Sequence, residues 1–207
     1  MTSITFIIIG VTVAISIWAF NNAQVFQKCL MNPFMVFNRR EYWRLITSGF
    51  IHGNYIHLGF NMFTFYFFGR LVEIVFRQII GSGSEVVFVL FYISAIILSD
   101  LPGAWKKKDI LQYNSLGASG AVSAMVFASI IYFPLEKIYL FGIIGIPGFI
   151  LGILYLIYSY FQGKNLSDGV NHEAHLYGAI YGAIFAIAIF PQAAPRFVEQ
   201  ILSYSPF

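Results

Sequence analysis

The chain has 207 residues, of which 58% are hydrophobic, 19% aromatic and only 10% charged, a composition outside the range of soluble domains. Its net charge of +3 is small and scattered over several loops, so nucleic acid is not an expected partner. Cys29 stands alone, which excludes an internal disulfide. A helix needs about 20 largely apolar residues to cross a bilayer, so the length has room for six or seven spans and no separate soluble domain. The expectation is an all-α, multi-pass membrane bundle formed by residues 1–207 as one unit.

Ile4 to Phe20 reads as the first span, retained because no basic leader precedes it and no small-residue cleavage pattern follows. Residues 21–54 mix aromatic anchors and cations, among them Phe34, Phe37, Arg39, Arg40, Trp43 and Arg44. That mixture predicts a loop lying partly in the membrane surface between helices 1 and 2. The second span runs from Tyr55 to about Gly69, with Arg70, Glu73 and Arg77 marking its exit into water. Gly81-Ser82-Gly83-Ser84 predicts a turn, Val86 to Leu98 a third span, and Asp100 to Asn114 a polar connection. Leu116 to Phe133 is the fourth span, stopped by Pro134, and Glu136 with Lys137 predicts a tight reversal. The fifth, Tyr139 to Tyr160, contains Pro147, read as a kink or break. Glu173 to Phe190 is the sixth, ended by Pro191.

Alternating crossings make the second, fourth and sixth helices enter from one membrane face. Near their starts lie His57 and Asn61, then Ser119, then His175. At about 1.5 Å rise per residue, these side chains share one depth, and polar groups at that depth face the bundle interior or each other. The sixth helix repeats small residues at Ala174, Gly178 and Gly182, and the fourth offers Gly117, Gly120, Ala121, Ala124 and Ala128. Close packing of these two rows would bring Ser119 within reach of His175.

Serine needs a neighbouring base to take its proton as it attacks, and histidine suits that task. His57, the Asn61 amide and the backbone N–H of Ser119 are candidate donors to the resulting oxyanion. Glu173 is two residues from His175 and points elsewhere on the helix, and Asp168 lies in the preceding loop, so a Ser-His dyad is expected. A metal site is the competing chemistry, with His52, His57, His172 and His175 as imidazoles. Their spacings match no recognised ligand pattern, which makes a metal the less expected reading.

Several short motifs resemble the rhomboid intramembrane serine proteases. Glu41-Tyr42-Trp43-Arg44 is similar to that family's Trp-Arg loop motif, and His52, His57 and Asn61 resemble its second-helix histidine and asparagine motif. Gly69-Arg70-Leu71-Val72-Glu73 resembles the end of the same helix. Gly117-Ala118-Ser119-Gly120 is similar to the G-x-S-G nucleophile motif, and Ala174-His175-Leu176-Tyr177-Gly178 to the A-H-x-x-G base motif. The resemblance runs from Asn38 to Phe185. It implies a six-helix bundle with no metal or other cofactor, Ser119 as nucleophile, His175 as base, and His57 with Asn61 in the oxyanion hole. His52, Trp43, Arg44 and Glu73 would be structural, as would the glycines at 117, 120 and 178. It further implies single-span membrane proteins as substrates, cut in or near the bilayer, and an active site opening outward from the cell membrane.

Two departures stand out. Many relatives carry a tyrosine one turn after the nucleophile, packed on the base, where this chain has Ser123. An outward-opening site would also leave eight cations outside (Lys28, Arg39, Arg40, Arg44, Lys106, Lys107, Lys108 and Lys164) against four inside (Arg70, Arg77, Lys137 and Arg196), the reverse of the positive-inside pattern. Competing functions are an inactive rhomboid-like binder, against which Ser119 and His175 argue, and a transporter, which would need intramembrane charges or paired broken helices.

Overall fold

The computed structural model describes residues 3–140, 142–163 and 170–205, with only the backbone of Leu140, so Lys164 and Asp168 lie outside the described residues. The long helices are α1 (Ile4–Phe20), α5 (Tyr55–Ile80), α6 (Ser84–Lys106), α7 (Ser119–Tyr132), α8 (Gly148–Gln162) and α9 (His172–Ile189), with α10 (Ala193–Leu202) following. Between α1 and α5 the chain folds into α2 (Ala23–Cys29), α3 (Pro33–Arg39), α4 (Arg44–Thr47) and a 3-10 turn at Ser48–Phe50. By length and composition α5 and α6 can each cross a membrane, whereas α1, α7 and α8 are shorter apolar helices. Helices α9 and α10 qualify as a span by length and composition only as a pair, bent by 112° where Pro191 interrupts them.

Asparagines start four of these helices. The side chains of Asn22, Asn32, Asn54 and Asn171 accept backbone N–H groups at the heads of α2, α3, α5 and α9, satisfying donors that a helix leaves unpaired. Asn54 thereby begins α5 just before His57, whose N–H it accepts at 2.8 Å.

Three sequence expectations are corrected. First, α5 does not end near Gly69 but continues to Ile80, and Glu73 is only 3% exposed. Its carboxylate accepts from Ser3 Oγ (2.5 Å), Thr5 Oγ1 (2.7 Å) and the Ile4 and Thr5 N–H groups, with Arg70 and Arg77 beside it. A carboxylate at a helix N-terminus meets the positive end of the dipole, so Glu73 ties the start of α1 to the far end of α5. Second, α6 extends through Asp100 and Pro102 to Lys106, so the polar connection begins later than expected. Third, the fifth apolar stretch is not one kinked helix. Lys137–Leu140 (β1) and Ile144–Pro147 (β2) pair antiparallel, Lys137 opposite Pro147 and Leu140 opposite Ile144. β-branched residues in both strands and a positive φ of 73° at Gly142 favour that hairpin, and α8 starts only at Gly148.

Helix α7 lies at the centre, packed by α5, α6, α8 and α9, and all but four of its fourteen residues are buried. Its tightest neighbour is α9. A methyl group built on Gly178 would stand 2.1 Å from the carbonyl oxygen of Gly120, and one on Gly182 2.1 Å from that of Ala124. On the other side of α7, Gly120 leaves room for Ser99 of α6, whose Oγ would meet an added methyl at 2.2 Å. The partners are backbone atoms that cannot rotate away, so the two helices touch through their main chains. Gly178→Val is expected to lower stability by about 3 kcal/mol or more, measured as a depressed melting temperature of the detergent-solubilised protein relative to the parent.

Candidate active site

Ser119 is the first residue of α7, and the loop before it is held from three directions. Ser115 exchanges two backbone hydrogen bonds with Met31 (3.0 and 2.9 Å), and the N–H of Gly117 donates to Ser48 O at 2.9 Å. The N–H of Ala118 donates to His52 Nε2 at 3.4 Å. Because Nε2 accepts, the proton of His52 sits on Nδ1 and is donated to Ser16 Oγ at 3.0 Å, which passes its own to Phe50 O at 2.9 Å. Arg44 supports the same loop from behind: its guanidinium donates to the carbonyls of Gln27 and Leu30, both at 2.8 Å, and pairs with Glu41. Leu30 adjoins Met31, so Arg44 reaches Ser119 through the Met31–Ser115 pair. Trp43, its neighbour in sequence, is 53% exposed.

Gly117 carries φ +109°, and a methyl there would come within 2.8 Å of His57 Cε1. A glycine is thus required both by the backbone conformation and by the imidazole lying against it. The rings of His52 and His57 meet edge to face at 5.0 Å. One turn along α5, the Asn61 amide donates one hydrogen to the His57 carbonyl at 3.0 Å and has a second available.

His175, on the first turns of α9, lies with its Nε2 2.7 Å from Ser119 Oγ. Four contacts set the helix start that carries it. Asn171 accepts from the N–H of Ala174 and donates its amide hydrogen to Asp100 Oδ1 at 2.7 Å, while Glu173 accepts from Lys106 and Lys107, each at 2.7 Å. Glu173 therefore faces the end of α6. The imidazole of His175 is stacked against Tyr155 of α8, with ring centroids 6.4 Å apart and planes 22° apart. The Tyr155 hydroxyl shares a hydrogen bond of 2.8 Å with Ser123 Oγ.

Two cavities meet at Ser119, Asn61 and His175. One, about 890 Å³, is a mouth rimmed by polar side chains, among them Asn54, Asn114 and Asn171. The other, about 240 Å³, runs between α5, α7 and α8 and is lined mainly by apolar side chains such as Phe60, Val126 and Leu151. Of the residues singled out from sequence, the structure gathers Ser119, His175, His57, Asn61, His52 and Gly117 around this junction. Gly120 and Gly178 form the adjoining helix contact. Glu73 is not part of it: sixteen residues beyond His57 on one helix, it lies about 24 Å away along the axis. Sequence reasoning missed Tyr155, Asp100, Asn171 and Ser16. Of these, only Asn171 carried a local signal, an asparagine directly ahead of an apolar periodic stretch.

A hydroxyl touching an imidazole at the floor of a polar cavity, inside a bundle that is apolar on its outside, defines an embedded serine-histidine site. Residues 39–192 match the Rhomboid domain, and the chain belongs to the rhomboid family. It is 29% identical over 170 residues to RHOMBOID-like protein 12, mitochondrial, of Arabidopsis thaliana, covering 76% of this chain and 51% of that protein. It is 27% identical to Rhomboid protease AarA of Providencia stuartii, covering 72% and 56%, and 27% identical to Rhomboid protease GlpG of Photorhabdus laumondii, covering 71% and 47%. The chain thus spans about half the length of these relatives. Family and apolar helices together make it an integral membrane protein.

Burial, reinforced by the charge of neighbouring His57, pushes His52 down from 6.5 to about 3. The unfolded chain then binds a proton that the folded one refuses, so the stability that His52 contributes is present above pH 6.5 and lost as pH falls toward 3. Melting temperatures between pH 7 and 4 are expected to fall less steeply for His52→Gln than for the parent.

Proposed function

We propose that this protein is an intramembrane serine endopeptidase, with Ser119 as nucleophile and His175 as general base. The observation that carries the reading is the 2.7 Å approach of Ser119 Oγ to His175 Nε2, within the range of a hydrogen bond that can transfer a proton. As Oγ attacks a substrate carbonyl, its proton passes to Nε2. The carbonyl oxygen becomes an oxyanion, met by the N–H of Ser119, which has no intrahelical acceptor at a helix start, by the second hydrogen of the Asn61 amide and by His57. Collapse breaks the C–N bond, and His175 returns the proton to the leaving amine. Water entering by the polar mouth then hydrolyses the acyl-enzyme, with His175 again taking and returning a proton.

Substrates are single-span membrane proteins, cut in or near the bilayer. Two features support that class: the apolar second cavity reaches the same serine as the aqueous mouth, and a peptide bond must leave its helix before its carbonyl can be attacked. In this reading α1, α5, α6, α7, α8 and α9 are the six spans, and the side on which the mouth opens faces outward from the cell membrane. The reading needs no metal or organic cofactor. An inactive binding protein of the same fold would have no use for a hydroxyl and an imidazole in hydrogen-bonding contact.

Purified protein in liposomes is expected to cleave a single-span model substrate, and Ser119→Ala to abolish cleavage without altering the melting temperature. A fluorophosphonate should label Ser119 in the parent and fail to do so when His175 is replaced. Asn61→Ala is expected to lower kcat about 100-fold. Cleavage by the Ser119→Ala variant at the parent rate would refute the assignment.

A further inference from the structure

The base of a serine-histidine pair must be held in one orientation, since a rotated imidazole presents no lone pair to the hydroxyl. One turn after the nucleophile stands Ser123, whose short side chain cannot itself form a surface for the ring of His175. The space is filled from another helix. Tyr155 projects from α8 to lie nearly parallel to the imidazole at 6.4 Å, with Phe127 of α7 against it at 5.8 Å and 45°. Both separations fall within the range of favourable ring packing. Its hydroxyl ends on Ser123 Oγ at 2.8 Å. Helix α8 can approach this closely because Gly152, one turn earlier, faces Ile130 and Phe127 with no side chain of its own.

The geometry points to Tyr155 as a positioning residue for His175: its ring is the surface against which the imidazole is set, and Ser123 is the anchor that fixes the ring. The two residues together do from α8 what a single tyrosine on α7 would do. The inference rests on the Ser119–His175 reading above. It also explains why a hydroxyl stands at position 123. An alanine there would remove the bond that ties the Tyr155 O–H to α7, leaving it only Ser159 of its own helix.

Two rates separate this role from a general structural one: turnover of a single-span substrate in liposomes, and labelling of Ser119 by a small fluorophosphonate, which reports on the dyad without substrate docking. Tyr155→Leu should lower kcat and the labelling rate together, by on the order of 10- to 100-fold, with KM little changed. Tyr155→Phe keeps the ring and should lose at most about 10-fold. Ser123→Ala should match it, and the double variant should lose no more than either, because each removes one end of the same bond. Tyr155→Ala combined with Ser123→Tyr, which moves the ring from α8 to α7, should label faster than Tyr155→Ala alone.

Labelling of Tyr155→Leu at the parent rate would overturn the inference and leave the dyad standing. If that variant does not fold, judged by its melting in detergent, the decision passes to Ser123→Ala and Tyr155→Phe: independent, multiplying losses overturn it equally. Retained cleavage by Ser119→Ala would instead sink the dyad itself, so the two failures are distinguishable.

Discussion

Everything at the candidate site depends on the contact of α7 with α9 through their main chains. Ser119 and His175 sit beside that contact, and larger side chains along it would hold their two helices apart. Gly178 against the carbonyl of Gly120, and Gly182 against that of Ala124, remove the obstacle. In a bilayer, where lipid tails solvate apolar side chains as well as protein does, this close packing is also a main source of helix association. One set of missing side chains therefore serves both the assembly of the bundle and the meeting of its two reactive groups.

Around that contact a set of paired polar groups bears on the position of Ser119 or His175. His52 holds the N–H of Ala118 and is itself held by Ser16 of α1. Arg44 fixes the carbonyl of Leu30, next to the Met31–Ser115 bridge. Asp100 and the two lysines at the end of α6 secure the start of α9. The segment between α1 and α5, which looks like interfacial decoration in the sequence, is in this respect a brace for the nucleophile loop. Glu73 performs a comparable service at the opposite end of the bundle, joining α1 to α5.

What could be read from the sequence was what is encoded locally. Rows of small residues every four positions marked the faces of α7 and α9, and the alternation of crossings placed Ser119 and His175 at one depth. The failures share a different character. Arg70, Glu73 and Arg77 looked like an exit into water because nothing nearby in sequence shows that Glu73 has the N-terminus of α1 as its partner, nearly seventy residues away. The stretch from Tyr139 to Tyr160 is largely apolar, so its period does not distinguish a helix from a hairpin; Gly142, Gly145 and Pro147 carry the signal, and the kink or break expected at Pro147 is a break, with a hairpin before it. Tyr155 was invisible for a related reason. Tyr155, Tyr158 and Tyr160 all sit on one apolar helix, and only docking that helix on α7 shows which of them faces the imidazole.

A row of evenly spaced small residues behaves like a rack: it permits approach but does not say which tooth meets which. Sliding α9 by one turn, about 5.4 Å, would set Gly178 opposite Ala124 and Gly182 opposite Ala128, a seat nearly as smooth, while carrying the imidazole out of reach of the hydroxyl. The pegs that forbid the slip are at the mouth, where Asn171 bonds Asp100 and Glu173 bonds Lys106 and Lys107. Closeness and alignment are thus supplied by different chemistry, the first by glycine in the apolar interior and the second by charge at the water's edge.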